Sequence, residues 1–288
     1  MGMKYTYAQF KKDYPDDDAC LEFLFQNQFG GLNFCHKCGA ETTFHRVKKR
    51  PSYACKWCGY QLYPLAGTIF RKTTTPLTSW FHAIYLFSVS KNGVSAKELE
   101  RHLGVGYGTA LRMTRKIRLL MAQSGKVEMT GIVEVDEMYV GGRRRGSKRG
   151  RGVEHKVPVV GVVERGGEIR VEVTKDTKTA SIMPLLREFV SVEAQINTDE
   201  YRSYLPLKRM GYTKHSQVRH AAKQYVIGEV HTNTIEGFWS HVKRSIHGTY
   251  NCVSPKYLHT YLDEFVFRYN FRGLALCPVL LELASKRP

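Results

Sequence analysis

Acidic residues are scarce in this chain. Its 288 residues hold 26 Asp and Glu against 44 Lys and Arg, a formal net charge of +18 and a pI near 9.6. A balance this basic points to a polyanionic partner, nucleic acid ahead of an anionic membrane surface. Long apolar runs are also missing. None approaches the roughly 18 residues of a membrane span, so no membrane partner is expected. The opening stretch MGMKYTYAQFKKDYPDDD lacks the apolar core of a secretory signal, which predicts a cytoplasmic chain. Seven cysteines, an odd number without a signal, do not make a disulfide framework. The glycines of GVGYG (104–108) follow no predicted strand and lack G-x-G-x-x-G spacing, which speaks against a dinucleotide loop.

What is present is clustered. Basic residues gather in HRVKKR (45–50), RMTRKIR (112–118) and RRRGSKRGR (143–151), and clusters of this kind favour phosphate contacts over a uniformly solvated face. Arg143, Arg144, Arg145, Lys148 and Arg149 are therefore candidate DNA contacts. Four cysteines fall into CHKCG (Cys35, Cys38) and CKWCG (Cys55, Cys58), sixteen residues apart. Two residues between cysteines let a tight knuckle aim both thiolates at one ion, and the following glycine permits the left-handed backbone that closes it. Two knuckles make a closed four-thiolate site for structural Zn²⁺. A redox pair would need only one motif. Residues 1–70 thus read as a helical lead-in, with Cys20 in its core, followed by a zinc ribbon.

Residues 71–125 read as helical. SWFHAIYLFSVSKNG is apolar around most of its circumference and predicts a buried helix. Ser95 and Glu98 predict a capping box opening ELERHLG, and after the GVGYG turn TALRMTRKIRLLM runs on as a basic amphipathic helix. This is a helix-turn-helix pattern. Thr109, Arg112, Arg115 and Lys116 are expected toward DNA, with Leu111, Ile117, Leu119 and Leu120 packed inward. A plain helical hairpin is the rival.

Residues 126–288 are mixed α/β. Three β-rich runs, IVEVDEMYVGG, VPVVGVVERGG and EIRVEVTKDT, predict a meander, followed by a helix (ASIMPLLREFV), a strand ending near Asp199, and helices. Asp136 stands among Val133, Val135, Met138 and Val140, where a carboxylate is costly to bury without a partner. Asp199, where the fourth strand ends, could lie beside it, and two such acids repel unless a cation separates them. Oxygen ligands select Mg²⁺ or Mn²⁺ over zinc. In HTNTIEGFWSHVKR (231–244), Ile235, Phe238, Trp239, Val242 and Ile246 form an apolar stripe, with Glu236 and Lys243 two turns apart on nearly one line beside it. Glu236 could complete a carboxylate triad for two metal ions, with Lys243 on a DNA phosphate. Trp239 is expected in the core, and Tyr250 could stack on unpaired bases.

The pieces CHKCG, CKWCG, GTIFRKTTTPLTSWFHAIYL, SAKELERHLGVGYGTALRM, VEVDEMYVGG, NTDEYRSY and the block from NTIEGFW to RYNFR, in that order, are specific together. Along nearly its whole length the chain resembles DDE-class insertion-sequence transposases that carry an N-terminal zinc ribbon. The resemblance implies a ribonuclease H-like catalytic core with Asp136, Asp199 and Glu236 as its acids and Lys243 as the downstream lysine. Enzymes of this kind vary at the third acid, some using Asn or His, so Asn233, one turn before Glu236, is an alternative or assisting ligand. A charged oxygen favours Glu236. The implied chemistry is two-metal phosphoryl transfer on double-stranded DNA, at the element's ends and at a target, by a homo-oligomer of at least two chains. A DNA-binding regulator that has lost catalysis, or a nuclease without strand transfer, are the rivals.

Overall fold

A computed structural model describes residues 5–122, 128–141, 156–218 and 230–286. The chain divides into two compact units, Met1–Leu120 with Gly273–Pro288, and Met121–Arg272. Arg143, Arg144, Arg145, Lys148 and Arg149 lie outside the described residues. Among the described residues no helix is long and apolar enough to cross a membrane.

The first unit opens with α1 (Tyr7–Asp13) and α2 (Asp17–Phe29). Thr6 and Gln9 form a capping box on α1, and Asp16 accepts from the Ala19 amide to start α2, which places Cys20, Leu21 and Leu24 in the core. Strands β1 (Phe44–Val47), β2 (Ser52–Cys55) and β3 (Gln61–Leu62) make an antiparallel sheet in that order. Helix α3 (Leu77–Val89) buries Trp80, Phe81, Ile84 and Phe87, each contributing about 1.5–3 kcal/mol of hydrophobic stabilisation. It packs against α2, α5 (Tyr107–Leu120) and α9 (Leu276–Ser285). Between them α4 (Ala96–Leu103) starts at Ser95, whose hydroxyl accepts from the Glu98 amide, and ends at Gly104 with a left-handed φ of 64°. The three residues 104–106 then turn the chain directly into α5.

The ribbon expected within 1–70 and the helices expected within 71–125 lie in one compact unit, and α9, from the 126–288 segment, returns to that unit.

The second unit is a five-stranded sheet, β6-β5-β4-β7-β8. Strands β4 (Ile132–Val140), β5 (Val157–Glu164) and β6 (Ile169–Val173) form the expected antiparallel meander. After α6 (Thr179–Phe189), β7 (Gln195–Thr198) pairs parallel to β4, and β8 (His215–Gln217), not among the expected strands, pairs parallel to β7. Side chains alternate between faces. Val133, Val135, Val160, Val162 and Ile196 join Ile182 and Leu186 of α6 in one core. Met138, Val140, Val159, Val163 and Val171 meet Ile235, Trp239 and Val242 of α7 (Asn233–Ser245) and Leu262 and Phe265 of α8 (Leu258–Asn270) in the other. By this parity Glu134 and Asp136 point to the α7 face, and Glu137 to the α6 face.

Candidate active site and metal centre

In the ribbon, Gly39 and Gly59 both take φ of 68°, and their amides donate to Cys35 O and Cys55 O at 2.9 and 3.1 Å. These are the two expected knuckles. Their four sulfurs all lie within 4.8 Å of one another, with Cys35 Sγ to Cys58 Sγ at 3.6 Å and Cys38 Sγ to Cys55 Sγ at 3.9 Å. A tetrahedral zinc with Zn–S bonds near 2.3 Å needs S–S edges of about 3.8 Å, so the four thiolates fit a closed structural zinc site. With no open position, the site is structural and not catalytic.

Strand register relates two of the expected acids in the second unit. Parallel pairing aligns Val133 with Ile196 and Glu134 with Asn197. Two further steps along the same register bring Asp136 of β4 level with Asp199, just past the end of β7. Asp199 closes a tight turn there by accepting from the Tyr201 amide at 2.9 Å. Burial pushes the Asp136 carboxyl up to about 7, and the charge of Glu137 adds to it, with smaller contributions from Asp199 and Glu236. Asp136 thus feels the charges of Asp199 and of Glu236 on α7 as well as that of Glu137. Among the described residues the four cysteines form the one group of three or more His, Cys, Asp or Glu side chains gathered closely enough to hold a metal ion.

Helix α7 stands over this face because the strand beneath it is bare. Gly161 of β5 pairs with Asp136, and the indole of Trp239 occupies the place of a side chain there. Glu236 is exposed on the first turn of α7, its Oε1 accepting from the Thr232 hydroxyl at 2.7 Å. Lys243 is exposed two turns on and lines a cleft of about 480 Å³ with Glu137, Tyr139, Lys156 and His247. Asn233, at the start of α7, is exposed, and its amide meets His231 Nδ1 at 3.4 Å.

Glu134 stands outside the set that spacing and pattern single out, yet it has no exposed surface. It accepts from Arg165 Nε at 2.6 Å, from the Thr234 hydroxyl at 2.9 Å, and from the amides of Thr234 and Ile235 at 2.8 and 3.0 Å. Like Asp136 it is an acid among strand valines, and the same cost of burial marks it in the sequence. On the opposite face the fully buried Tyr204 donates to Glu137 Oε2 at 2.7 Å. Tyr250 donates to Glu264 Oε2 at 3.1 Å and packs edge-on against Tyr261.

In the helical pair, Arg112 and Arg115 are exposed and Thr109 half-buried, as expected of an outward face. Lys116 differs: its Nζ donates to Ile69 O at 2.5 Å, and burial followed by the charge of Arg112 lowers its pKa. Arg118, from the same basic cluster, is buried with Nη2 on Val94 O at 3.1 Å. Leu119, expected inward, is 61 % exposed. Helical phase on α5 is thus turned from the expected one near its C-terminal end.

Comparison with known proteins agrees with the two units. Residues 128–270 match the model of the ISXO2-like transposase domain, and residues 15–61 that of the transposase zinc-ribbon domain. A protein of Halobacterium salinarum described as an uncharacterized protein in transposable element ISH50 is 31 % identical over 276 residues, covering 89 % of this chain and 92 % of the relative. An uncharacterized transposase-like protein of Haemophilus influenzae is 28 % identical over 98 residues, 34 % of this chain and 77 % of the relative. The matches run from the ribbon through the sheet that carries the acids: the chain belongs to the zinc-ribbon-containing DDE-class insertion-sequence transposases.

Proposed function

We propose that the chain is an active transposase that cuts DNA at the ends of its insertion sequence and joins those ends to target DNA. The observation that carries this reading is the acid cluster, in which the pKa of a strand carboxylate is raised by burial, then by Glu137, and less by Asp199 and Glu236. A carboxylate in that state gains from a cation, and its all-oxygen company suits Mg²⁺ or Mn²⁺. Asp136, Asp199 and Glu236 would hold the ions, with Asn233 beside them. Bound there, two ions would activate the attacking water or 3′-hydroxyl and neutralise charge on the leaving oxygen. The antiparallel meander followed by a parallel strand, with one acid on β4 and one just past the end of β7, supports a ribonuclease H-like core.

Lys243, exposed on the helix that bears Glu236, would neutralise a phosphate of the strand being cut. The zinc ribbon and the α4–α5 pair would hold the element's ends, α5 lying in a major groove with Thr109, Arg112 and Arg115 toward the DNA. The basic 143–149 cluster would hold flanking or target phosphates. Two ends must be cut and joined together, so a homodimer or larger assembly is the working form.

The test is cleavage and strand transfer on duplexes carrying the element's terminal repeats, with Mg²⁺. Asp136→Asn, Asp199→Asn and Glu236→Gln should each abolish both steps while leaving DNA binding in place. Unchanged cutting by any of the three would remove that acid from the site. Binding without cutting by the parent protein would favour the DNA-binding regulator instead.

A further inference from the structure

We propose that Glu134 is a positioning residue for the acid cluster, a strand carboxylate that caps α7 from outside and so fixes where Glu236 faces Asp136. The inference rests on reading Asp136, Asp199 and Glu236 as the metal-holding set. Helix α7 has no side-chain cap of its own: Thr232 stands at the N-cap position, but its hydroxyl is directed to Glu236 Oε1 at 2.7 Å. The amides of Thr234 and Ile235, the second and third helical residues, would be left unsatisfied. Glu134 Oε2 accepts both, at 2.8 and 3.0 Å. A negative charge at this end of a helix is also favoured by the helix dipole.

The other oxygen ties the clamp to the sheet. Glu134 Oε1 accepts from Arg165 Nε at 2.6 Å and from the Thr234 hydroxyl at 2.9 Å, with His231 Nδ1 at 3.3 Å. Arg165 Nη2 in turn donates to His231 O at 2.9 Å, which fixes the backbone entering α7. A carboxylate with no exposed surface is tolerable only with such a full set of donors. Asp136 is two residues further along the same strand and on the same face. One strand therefore carries one acid of the site and the anchor for the helix that carries another, and Thr232 links that anchored turn to the Glu236 carboxylate.

Glu134→Gln tests this with little change of shape. An amide presents one acceptor oxygen and one donor nitrogen, so its oxygen can serve the two backbone amides or Arg165, but not both. Expected is Mn²⁺ binding, measured by calorimetry on the zinc-loaded full chain, weakened by about 10- to 100-fold. The Mn²⁺ concentration for half-maximal cleavage should rise in parallel, with binding to end DNA unchanged. Thr232→Val, which keeps Glu134 and its clamp but frees the Glu236 carboxylate, should weaken Mn²⁺ in the same direction, and it keeps the test open if Glu134→Gln does not fold. A lower melting temperature with parental Mn²⁺ affinity in the folded variants would make Glu134 a stabilising residue only and overturn the proposal. Asp136→Asn separates the two levels. If it abolishes Mn²⁺ binding while the other two do not weaken it, positioning alone fails. If it too leaves Mn²⁺ binding intact, the metal-site reading fails and positioning with it.

Discussion

Asp136 and Gly161 lie directly opposite each other across the β4–β5 pair, and the space above Gly161 is filled by Trp239 from α7. A Cβ added at Gly161 would come within 2.5 Å of Trp239 Cζ2 and 3.1 Å of Ile235 Cδ1. The missing side chain is what lets the Glu236 helix approach the strand that bears Asp136. Gly161→Ala must push the indole, and with it α7, away from the sheet. The expected cost is about 1–3 kcal/mol in thermal or denaturant unfolding, as for other overpacked cores. Cleavage should fall further than DNA binding does. An alanine variant as stable and active as the parent would mean that α7 is free to shift without consequence.

Asp136 makes the stability of the magnesium-free protein depend on pH. Burial first, and acidic neighbours after it, hold its proton up to about 7 in the folded state, against 3.8 for a free aspartate. The folded state thus keeps the proton that the unfolded chain releases, so this contribution to stability is full below pH 4 and is lost as pH rises through 7. Asp136→Asn removes the penalty. In magnesium-free buffer near pH 8 the variant should be more stable by about 2 kcal/mol, roughly half of what the shift implies because the side chain keeps partial exposure. The difference should vanish toward about pH 4. Melting curves across that range decide it, and a gap independent of pH would contradict the buried charge.

Removing the ribbon's zinc should unfold the ribbon. The metal is what would join the two knuckles, whose four thiolates would otherwise repel one another in so short a sheet. Cys38→Ser should lose the bound zinc, read by a chelating dye, and hydrogen exchange in β1 to β3 should become fast. Retained zinc with slow exchange would show that three thiolates suffice.

The exposed arginines of α5 should behave differently from the lysine between them and the core. Arg112→Ala with Arg115→Ala should weaken binding to end DNA and flatten its salt dependence by about two units of slope, one for each phosphate left without its arginine. Lys116→Ala should instead lower the melting temperature, since its Nζ is bonded to Ile69 O. Equal losses of DNA affinity from all three, without destabilisation at Lys116, would restore the simpler helical face expected from spacing.

Features that depend on nearby residues were legible in the sequence. CHKCG and CKWCG specify knuckles because each needs only its own glycine, and both glycines adopt the required backbone. The strand–helix order and the stripe of Ile235, Trp239 and Val242 followed from periodicity alone. Features set by distant partners were not. Glu134 is stabilised by Arg165 and by residues a hundred positions away, and nothing local distinguishes it from Asp136. Lys116 and Leu119 exchanged expected roles because an amphipathic pattern gives a face to about one residue's rotation, whereas the carbonyl that captures Lys116 belongs to another segment. The short β8 exists because β7 offers it an edge, and its own residues carry no strand alternation.

Helix α9 has a consequence for the order in which the protein can be completed. Leu280 and Leu281 are buried in the first unit, where α9 packs against α2, α3 and α5, yet α9 is synthesised after the whole of the second. The unit begun first is the one finished last. A chain interrupted after Arg272 would carry both strands and the helix of the acid cluster, but would leave the apolar side of α3 uncovered. Such a product would be fit for proteolysis and not for use.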